Sequence, residues 1–105
     1  MKILLDECVP KDFCKSFPEH ECHAARRAGF GGKRNGELIA LAEQAGFDAL
    51  ITVDKRIPFQ QNLRRINIAV LILNVPSNRL PDLLCHIPAC RSALAALKPG
   101  QVVSL

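Results

Sequence analysis

The chain has 105 residues, which is enough for one compact domain and too few for two. Apolar residues make up 49% and charged residues 23%, so a real hydrophobic core can form, as in an ordinary soluble domain. Aromatic residues are only 5%, with no Trp or Tyr, which argues against recognition of RNA by base stacking.

The cysteines and the start of the chain indicate the cellular compartment of the protein. The five cysteines are an odd number, and Met1 leads directly into an apolar strand pattern. No apolar stretch approaches the ~20 residues of a membrane span. We therefore expect free thiols in a reducing cytoplasm and no contact with a membrane. Two groupings of Cys and His could suggest zinc: Cys22 with His20 and His23, and Cys85 with His86 and Cys90. Neither has the paired CxxC spacing of a structural zinc site, so free thiols are favoured.

Strands and helices alternate along the chain. Residues 2–6 and 48–53 are continuous apolar runs, typical of central strands in a parallel sheet. Residues 20–25 have poor strand propensity but lie between a helix and a loop, where an edge strand is expected. Residues 68–73 are the most β-like segment, and 102–103 add a short last strand.

Helices are predicted between these strands. A short helix at 10–17 begins at a proline and ends before Pro18. Asn35-Gly36 marks a turn or helix start, residues 37–45 carry an amphipathic stripe, and Gly46 stands at the position of a C′ glycine. A further short helix covers 57–65. The longest helix is predicted over 82–97, and Pro88 should kink it or split it in two.

The alternating order predicts the fold class. It is typical of a single three-layer α/β domain over residues 1–105, with a mostly parallel central sheet of four or five strands. Right-handed crossovers would place the helices on both faces of that sheet.

Acidic residues stand where such a sheet binds ligands. Asp6 and Glu7 follow the first strand, Asp54 follows the third, and Glu37 lies in the first turn of a helix. Ligands of open α/β sheets bind beyond the carboxyl ends of the strands. Carboxylate oxygens suit Mg²⁺ or Mn²⁺, and a divalent ion there is the basis of metal-dependent phosphodiester hydrolysis. Thr52 faces the same side as Asp54, so its hydroxyl is expected to orient a carboxylate or a water.

Each acid also has a purely structural interpretation. Asp6 could bond the start of the next helix, Asp54 could form a turn before Pro58, and Glu37 suits a helix N-terminus for dipole reasons. For any one of these acids the structural interpretation is favoured. For Asp6 and Asp54 together, at the ends of two strands, the functional interpretation is favoured.

Basic residues and one amide complete the predicted site. The net charge of +4 is compatible with a phosphate backbone, and equally with a charged surface that only keeps the domain soluble. The predicted RNA contacts are Lys33, Arg34, Arg56 and Asn62.

Several local patterns resemble one protein family. The opening KILLDECVP at 2–10 is similar to the L-L-D-E-N-L-P start of the DUF5615 PIN-like family of small bacterial proteins. KRNGEL at 33–38 resembles the acidic loop-to-helix position of that family. ITVD at 51–54 with PFQQNL at 58–63 is similar to the T-x-D…P-Y-Q-Q-N-L of one subgroup, and residues 77–100 resemble its ending.

The resemblance covers nearly the whole chain and implies a function. Family members are similar to the toxins of type II toxin–antitoxin pairs, so it implies a PIN-like α/β/α fold and a metal-dependent ribonuclease. Asp6, Glu37 and Asp54 match the metal-binding acids, Thr52 the hydroxyl of T-x-D, and Glu7 a supporting acid. A cognate antitoxin and a homodimer are implied by analogy.

The chain departs from the family pattern at two positions. Cys8 stands where Asn is usual, and Arg56 stands where many relatives have a further acid. The loss of that acid weakens any second metal position. The main alternative is therefore a PIN-like module that binds RNA or protein with little or no catalysis.

A signalling receiver domain is the second alternative. Asp54 lies near the position of a receiver's phosphorylated aspartate. However, a receiver needs Ser or Thr after its fourth strand and a lysine after its fifth. Here Leu73-Asn74-Val75-Pro76 follows the fourth strand, and no lysine occurs between Lys55 and Lys98.

Overall fold

A computed structural model describes residues 1–33, 35–54, 67–77 and 79–105. Five strands form one sheet, and every pair of neighbours is parallel. The strands are β1 (Lys2–Leu5), β2 (Glu21–Ala24), β3 (Ala49–Thr52), β4 (Ala69–Ile72) and β5 (Val102–Ser104). The predicted α/β class with a mostly parallel sheet of four or five strands is confirmed.

The strand order is β2-β1-β3-β4-β5, which places β1, β3 and β4 in the interior of the sheet. All residues of β3 and β4 are buried, and so are Ile3, Leu4 and Leu5 of β1. Three adjacent apolar strands thus form the centre of the domain, as their continuous apolar runs predict. The predicted edge position of β2 is confirmed as well.

Alternate strand residues belong to two separate hydrophobic clusters. Ile3, Leu5 and Ile51 belong to one cluster, while Leu4 and Leu50 belong to the other. Because successive side chains of a strand point to opposite faces, both faces of the sheet are buried. The first cluster includes Phe13, Leu83 and Leu94 from three helices, and the second includes Leu38 and Ile39 from a fourth helix.

The first helix is a 3-10 helix, Lys11–Ser16, where the sequence predicts a short helix of unspecified type. It begins after Pro10, and the chain leaves it at Phe17, before Pro18. The Phe13 and Phe17 rings meet edge to face at 5.3 Å and are fully buried. This aromatic contact anchors a segment that has no side-chain cap.

The remaining described helices are α1 (Asn35–Gln44), α2 (Leu80–Leu84) and α3 (Ile87–Ala96). Gly46 follows α1 with a φ of 85°, the left-handed conformation that a C′ glycine adopts without strain. The predicted break at Pro88 is confirmed, since Pro88 lies in the first turn of α3, where its missing N–H costs no hydrogen bond. The helix predicted over 57–65 lies outside the described residues.

None of the helices in the described part of the chain has the length and apolar content that crossing a bilayer requires.

Candidate functional site

The strand order creates a switch point between β1 and β3. From this pair the chain continues outward to β2 on one side and to β4 and β5 on the other. Open α/β sheets bind ligands beyond the carboxyl ends of the strands at such a point. Asp6 follows β1 there and Asp54 follows β3, and the Asp6 N–H donates to the Ile51 carbonyl at 2.9 Å. Both acids are therefore attached to the two strands that flank the switch point.

The Thr52 hydroxyl connects these two chain segments. It donates to Oδ2 of Asp6 at 2.7 Å and accepts the backbone N–H of Asp54 at 3.0 Å. Thr52 is 0% exposed and is the one buried polar or charged residue in the described part of the chain. A hydroxyl can donate once and accept twice, so this single group orients the Asp6 carboxylate and positions the Asp54 backbone.

The other partners of Asp6 come from the turn after β1. The Glu7 N–H donates to Oδ1 of Asp6 at 2.7 Å, and the Cys8 thiol donates to Oδ2 at 3.5 Å. Donors on both oxygens hold the plane of the carboxylate in place. Asp6 thus presents an oriented carboxylate at the carboxyl edge of the sheet.

Cys8 is a member of this cluster that sequence reasoning did not assign to the site. Its sulfur lies 3.8 Å from Oγ1 of Thr52. Burial raises the pKa of Cys8 above its usual 9.0, and the negative charge of Asp6 adds to this effect, although a hydrogen bond to the Val53 backbone opposes it. Cys8 therefore remains a neutral thiol at physiological pH. The available sequence signal was its departure from the asparagine that is usual in the family that the sequence resembles.

Glu7 points toward the loop that follows β2. Nη2 of Arg26 donates to its Oε1 at 2.8 Å, and the Gly32 N–H donates to its Oε2 at 3.3 Å. The guanidinium compensates the charge of this carboxylate. Glu7 is thus placed to anchor a basic loop beside the site rather than to act alone.

Glu37 occupies a different environment. Oε1 of Glu37 lies 3.0 Å from Nζ of Lys33, four residues earlier in the chain, and the side chain of Glu37 is 61% exposed. In the described ranges, no group of three or more His, Cys, Asp or Glu side chains is placed to hold a metal ion. The structure therefore brings Asp6 and Thr52 together but does not gather Asp6, Glu37 and Asp54 into one three-carboxylate group. Within the described residues, the two Cys/His groupings do not form a metal group either. All five cysteines are free of disulfide bonds.

Of the predicted RNA contacts, Lys33 is described and pairs with Glu37. Arg34, Arg56 and Asn62 lie outside the described residues.

The donor chemistry of the switch point fits a hard divalent cation. Mg²⁺ keeps several waters and is usually held by one or two carboxylates together with substrate phosphates, rather than by a closed protein cage. Asp6 and Asp54 follow two adjacent strands, and Thr52 fixes the position of the Asp6 carboxylate. A third acidic ligand is not needed for such a site.

Comparisons of the chain with family models, curated proteins and solved structures found no match.

Proposed function

We propose that this protein is a metal-dependent ribonuclease of the PIN-like type, which hydrolyses RNA phosphodiester bonds with Mg²⁺ or Mn²⁺. One observation carries the proposal. A fully buried hydroxyl, Thr52, fixes the carboxylate of Asp6 at the switch point of a parallel sheet and also bonds the backbone of Asp54. A buried hydrogen-bond network is costly when incomplete, and this one positions an acid at a ligand-binding edge.

In the proposed mechanism Asp6 and Asp54 would hold the cation, and Glu37 is the third acid that the family pattern implies. A divalent ion there would acidify a water and offset charge on the phosphodiester. Thr52 keeps the Asp6 carboxylate in one orientation, so that little reorganisation is needed when RNA binds. Glu7 keeps the guanidinium of Arg26 beside the site, where a cation can attract a phosphate.

RNA is the proposed substrate because the resemblance implies it and the charge is compatible with it. The net charge is +4, and the side chain of Arg26 is 80% exposed despite its bond to Glu7. Lys33, Arg34, Arg56 and Asn62 are the proposed contacts to the RNA. A cognate antitoxin and a homodimer belong to the same proposal.

Metal binding is the first test. A ligand that binds only the native state raises the melting temperature, and at about 100 times its Kd it contributes about 2.7 kcal/mol. We expect millimolar Mg²⁺ or Mn²⁺ to raise Tm of the wild-type protein. Asp54→Asn should abolish the shift, while Asp12→Asn, which removes an exposed acid from the 3-10 helix, should retain it. No shift in the wild-type protein at millimolar metal would contradict the metal site.

Cleavage is the second test. Asp6→Asn should lower the rate of RNA cleavage by roughly two orders of magnitude or more, because it removes a fixed charge at the reacting centre. Circular dichroism and a urea titration would show that the variant is folded. Unchanged cleavage in a folded Asp6→Asn protein would place the chemistry elsewhere.

A non-catalytic PIN-like module that binds RNA or protein is the second candidate, favoured by the Lys33–Glu37 ion pair. In that pair Lys33 binds Glu37, an acid that the family pattern assigns to the metal. The module predicts RNA binding without cleavage and without a metal-dependent change in Tm. Measuring binding and cleavage on the same fluorescent RNA separates the two candidates.

A further inference from the structure

A cleft lies between the 3-10 helix and the edge strand β2, among residues that the proposed nuclease mechanism does not use. Its volume is about 460 Å³. The residues that line it come from the 3-10 helix, from β2 and from the turn after β2: Lys11, Asp12, Cys14, Lys15, Cys22, His23, Ala24 and Arg27.

Two thiols line this cleft. Cys14 lies on the 3-10 helix and Cys22 on β2, and both are half-buried, free and packed against the same hydrophobic cluster. The pKa of Cys14 is lowered and the pKa of Cys22 is raised, because the neighbouring Cys22 thiol stabilises a thiolate on Cys14. The two sulfurs therefore differ in reactivity, and Cys14 is the one that ionises first.

The polar rim of the cleft is mostly positive. Lys11, Lys15 and Arg27 are exposed lining residues, and Asp12 is the one carboxylate among the described residues of the lining. Asp12 lies 3.7 Å from Lys15. A cationic surplus next to reactive thiols attracts anionic reagents and repels cationic ones.

A zinc site is a poorer interpretation of the same residues. His23 also lines the cleft, but its Nε2 lies 3.1 Å from Oε1 of Glu21. Cys22 and His23 are adjacent on a strand, so their side chains point to opposite sides. No third ligand within the described residues completes a metal group with the two thiols.

We propose that Cys14 and Cys22 form a redox-active dithiol whose cleft accepts a small anionic peptide disulfide. The Cys14 thiolate attacks one sulfur of the reagent, its S–S bond breaks, and the first peptide thiolate leaves with the electron pair. Cys22 then loses its proton to solvent and attacks the sulfur of Cys14, which releases the second peptide thiol. Overall, two protein thiols are oxidised to one disulfide, and one reagent disulfide is reduced to two thiols.

Oxidised glutathione, which is anionic, is the test reagent, and cystamine is its cationic counterpart. The reduced full-length protein is exposed to each at neutral pH, quenched with an alkylating agent and analysed by peptide mass mapping. We expect a Cys14–Cys22 disulfide, lighter by two hydrogen atoms than the reduced pair. Oxidised glutathione should form this disulfide roughly 10-fold faster than cystamine does, and added salt should reduce the ratio of the two rates.

Three cysteine variants test which thiol carries out each step of the exchange. In Cys22→Ser the reaction should stop at a glutathione adduct on Cys14, and in Cys14→Ser no internal disulfide should form. Cys85→Ser removes an exposed thiol outside the cleft and should leave the reaction unchanged. A first disulfide that includes Cys85 or Cys90, or stable adducts on both Cys14 and Cys22 of the wild-type protein, would overturn the dithiol.

A charge variant tests the cleft. Lys11→Gln combined with Arg27→Gln should bring the glutathione and cystamine rates together. Lys98→Gln, an exposed charge after α3, should leave their ratio unchanged. Equal rates for the two reagents in the wild-type protein at low salt would overturn the anion preference. This reaction needs no RNA and no metal, so its outcome is independent of the ribonuclease proposal.

Discussion

Asp6 and Glu37 match the same predicted metal site, yet their surroundings differ. Asp6 follows a buried central strand, and donors from Thr52, Glu7 and Cys8 hold both of its oxygens. Glu37 lies in the first turn of α1, mostly exposed, with Lys33 as an ion-pair partner. The difference shows how firmly each position is determined. The backbone of two paired strands fixes Asp6, whereas Glu37 is held by an exposed ion pair, which is commonly worth ~0–1 kcal/mol.

The largest expected difference between the two acids is in catalysis. Asp6→Asn should lower kcat/KM for RNA by roughly 100-fold or more, because a fixed carboxylate is lost. Glu37→Gln should cause a loss of no more than about 10-fold, because Glu37 pairs with Lys33 and does not lie in one acidic group with Asp6 among the described residues. A fluorogenic RNA assayed with Mn²⁺ measures both values, with Glu43→Gln on α1 as the control. Equal losses in the two variants would show that Glu37 leaves Lys33 and joins Asp6 when metal and RNA bind.

The second difference is in stability, and it concerns the hydroxyl that fixes Asp6. Thr52→Val keeps the shape of the side chain but leaves Oδ2 of Asp6 and the Asp54 N–H without this partner. We expect the free energy of unfolding to fall by about 1–3 kcal/mol in urea titrations. Thr52→Ser keeps the hydroxyl and should lose about 1 kcal/mol or less, the value of one methyl group. A valine variant as stable as wild type would mean that other donors replace Thr52.

The third difference is in the reactivity of the thiol beside Asp6. Burial, reinforced by the charge of Asp6, raises the pKa of Cys8 above 9.0, so little thiolate is present at pH 8. Alkylation of Cys8 by iodoacetamide should therefore be slower than that of the exposed Cys85, as peptide mass spectrometry would show. Asp6→Asn should lower the pKa of Cys8 and speed its alkylation by a few-fold. The same rate in both proteins would contradict the contact between Cys8 and Asp6.

The raised pKa of Cys8 also makes the stability of the folded protein depend on pH. Because the folded protein holds this proton more tightly than the unfolded chain, the contribution to stability is complete below pH 9 and is lost as the pH rises above it.

The smallest expected effect is the stability change in Glu37→Gln. Its ion pair with Lys33 is largely exposed, and pairs of this kind contribute about 1 kcal/mol or less. At low salt the free energy of unfolding of Glu37→Gln should differ from that of the wild-type protein by no more than this amount, and at high salt the difference should vanish. Urea titrations measure both values. A loss above about 1 kcal/mol would show that Glu37 has further partners in the folded protein.

The fold was largely predictable because its elements carry strong local signals. The continuous apolar runs gave β1, β3 and β4, and Gly46 and Pro88 marked where helices end and begin. The 3-10 form of the first helix was not predicted, because it depends on how Phe13 and Phe17 pack together. The strand order was not predicted either, because the pairing of β1 with β3 joins residues 46 positions apart.

The site was predictable where the backbone determines it. The position of Asp6 and Thr52 follows from two adjacent strands that end together. Sequence reasoning did not predict the hydrogen bond of Cys8 to Asp6, the ion pair of Glu7 with Arg26, or the cleft that Cys14 and Cys22 share. These contacts depend on how turns fold back on the sheet, and no sequence periodicity describes such turns.

The uniform direction of the strands determines where added segments would go. The carbonyl of Met1 accepts the Glu21 N–H at the amino ends of β1 and β2. The Leu105 N–H donates to Ile72 just past β5, on the same margin of the sheet as Asp6 and Asp54. A purification tag fused before Met1 would thus extend away from the proposed metal site, whereas one fused after Leu105 would begin at the same end of the sheet as that site. An activity assay with the tag at each end should show slower turnover only for the second fusion.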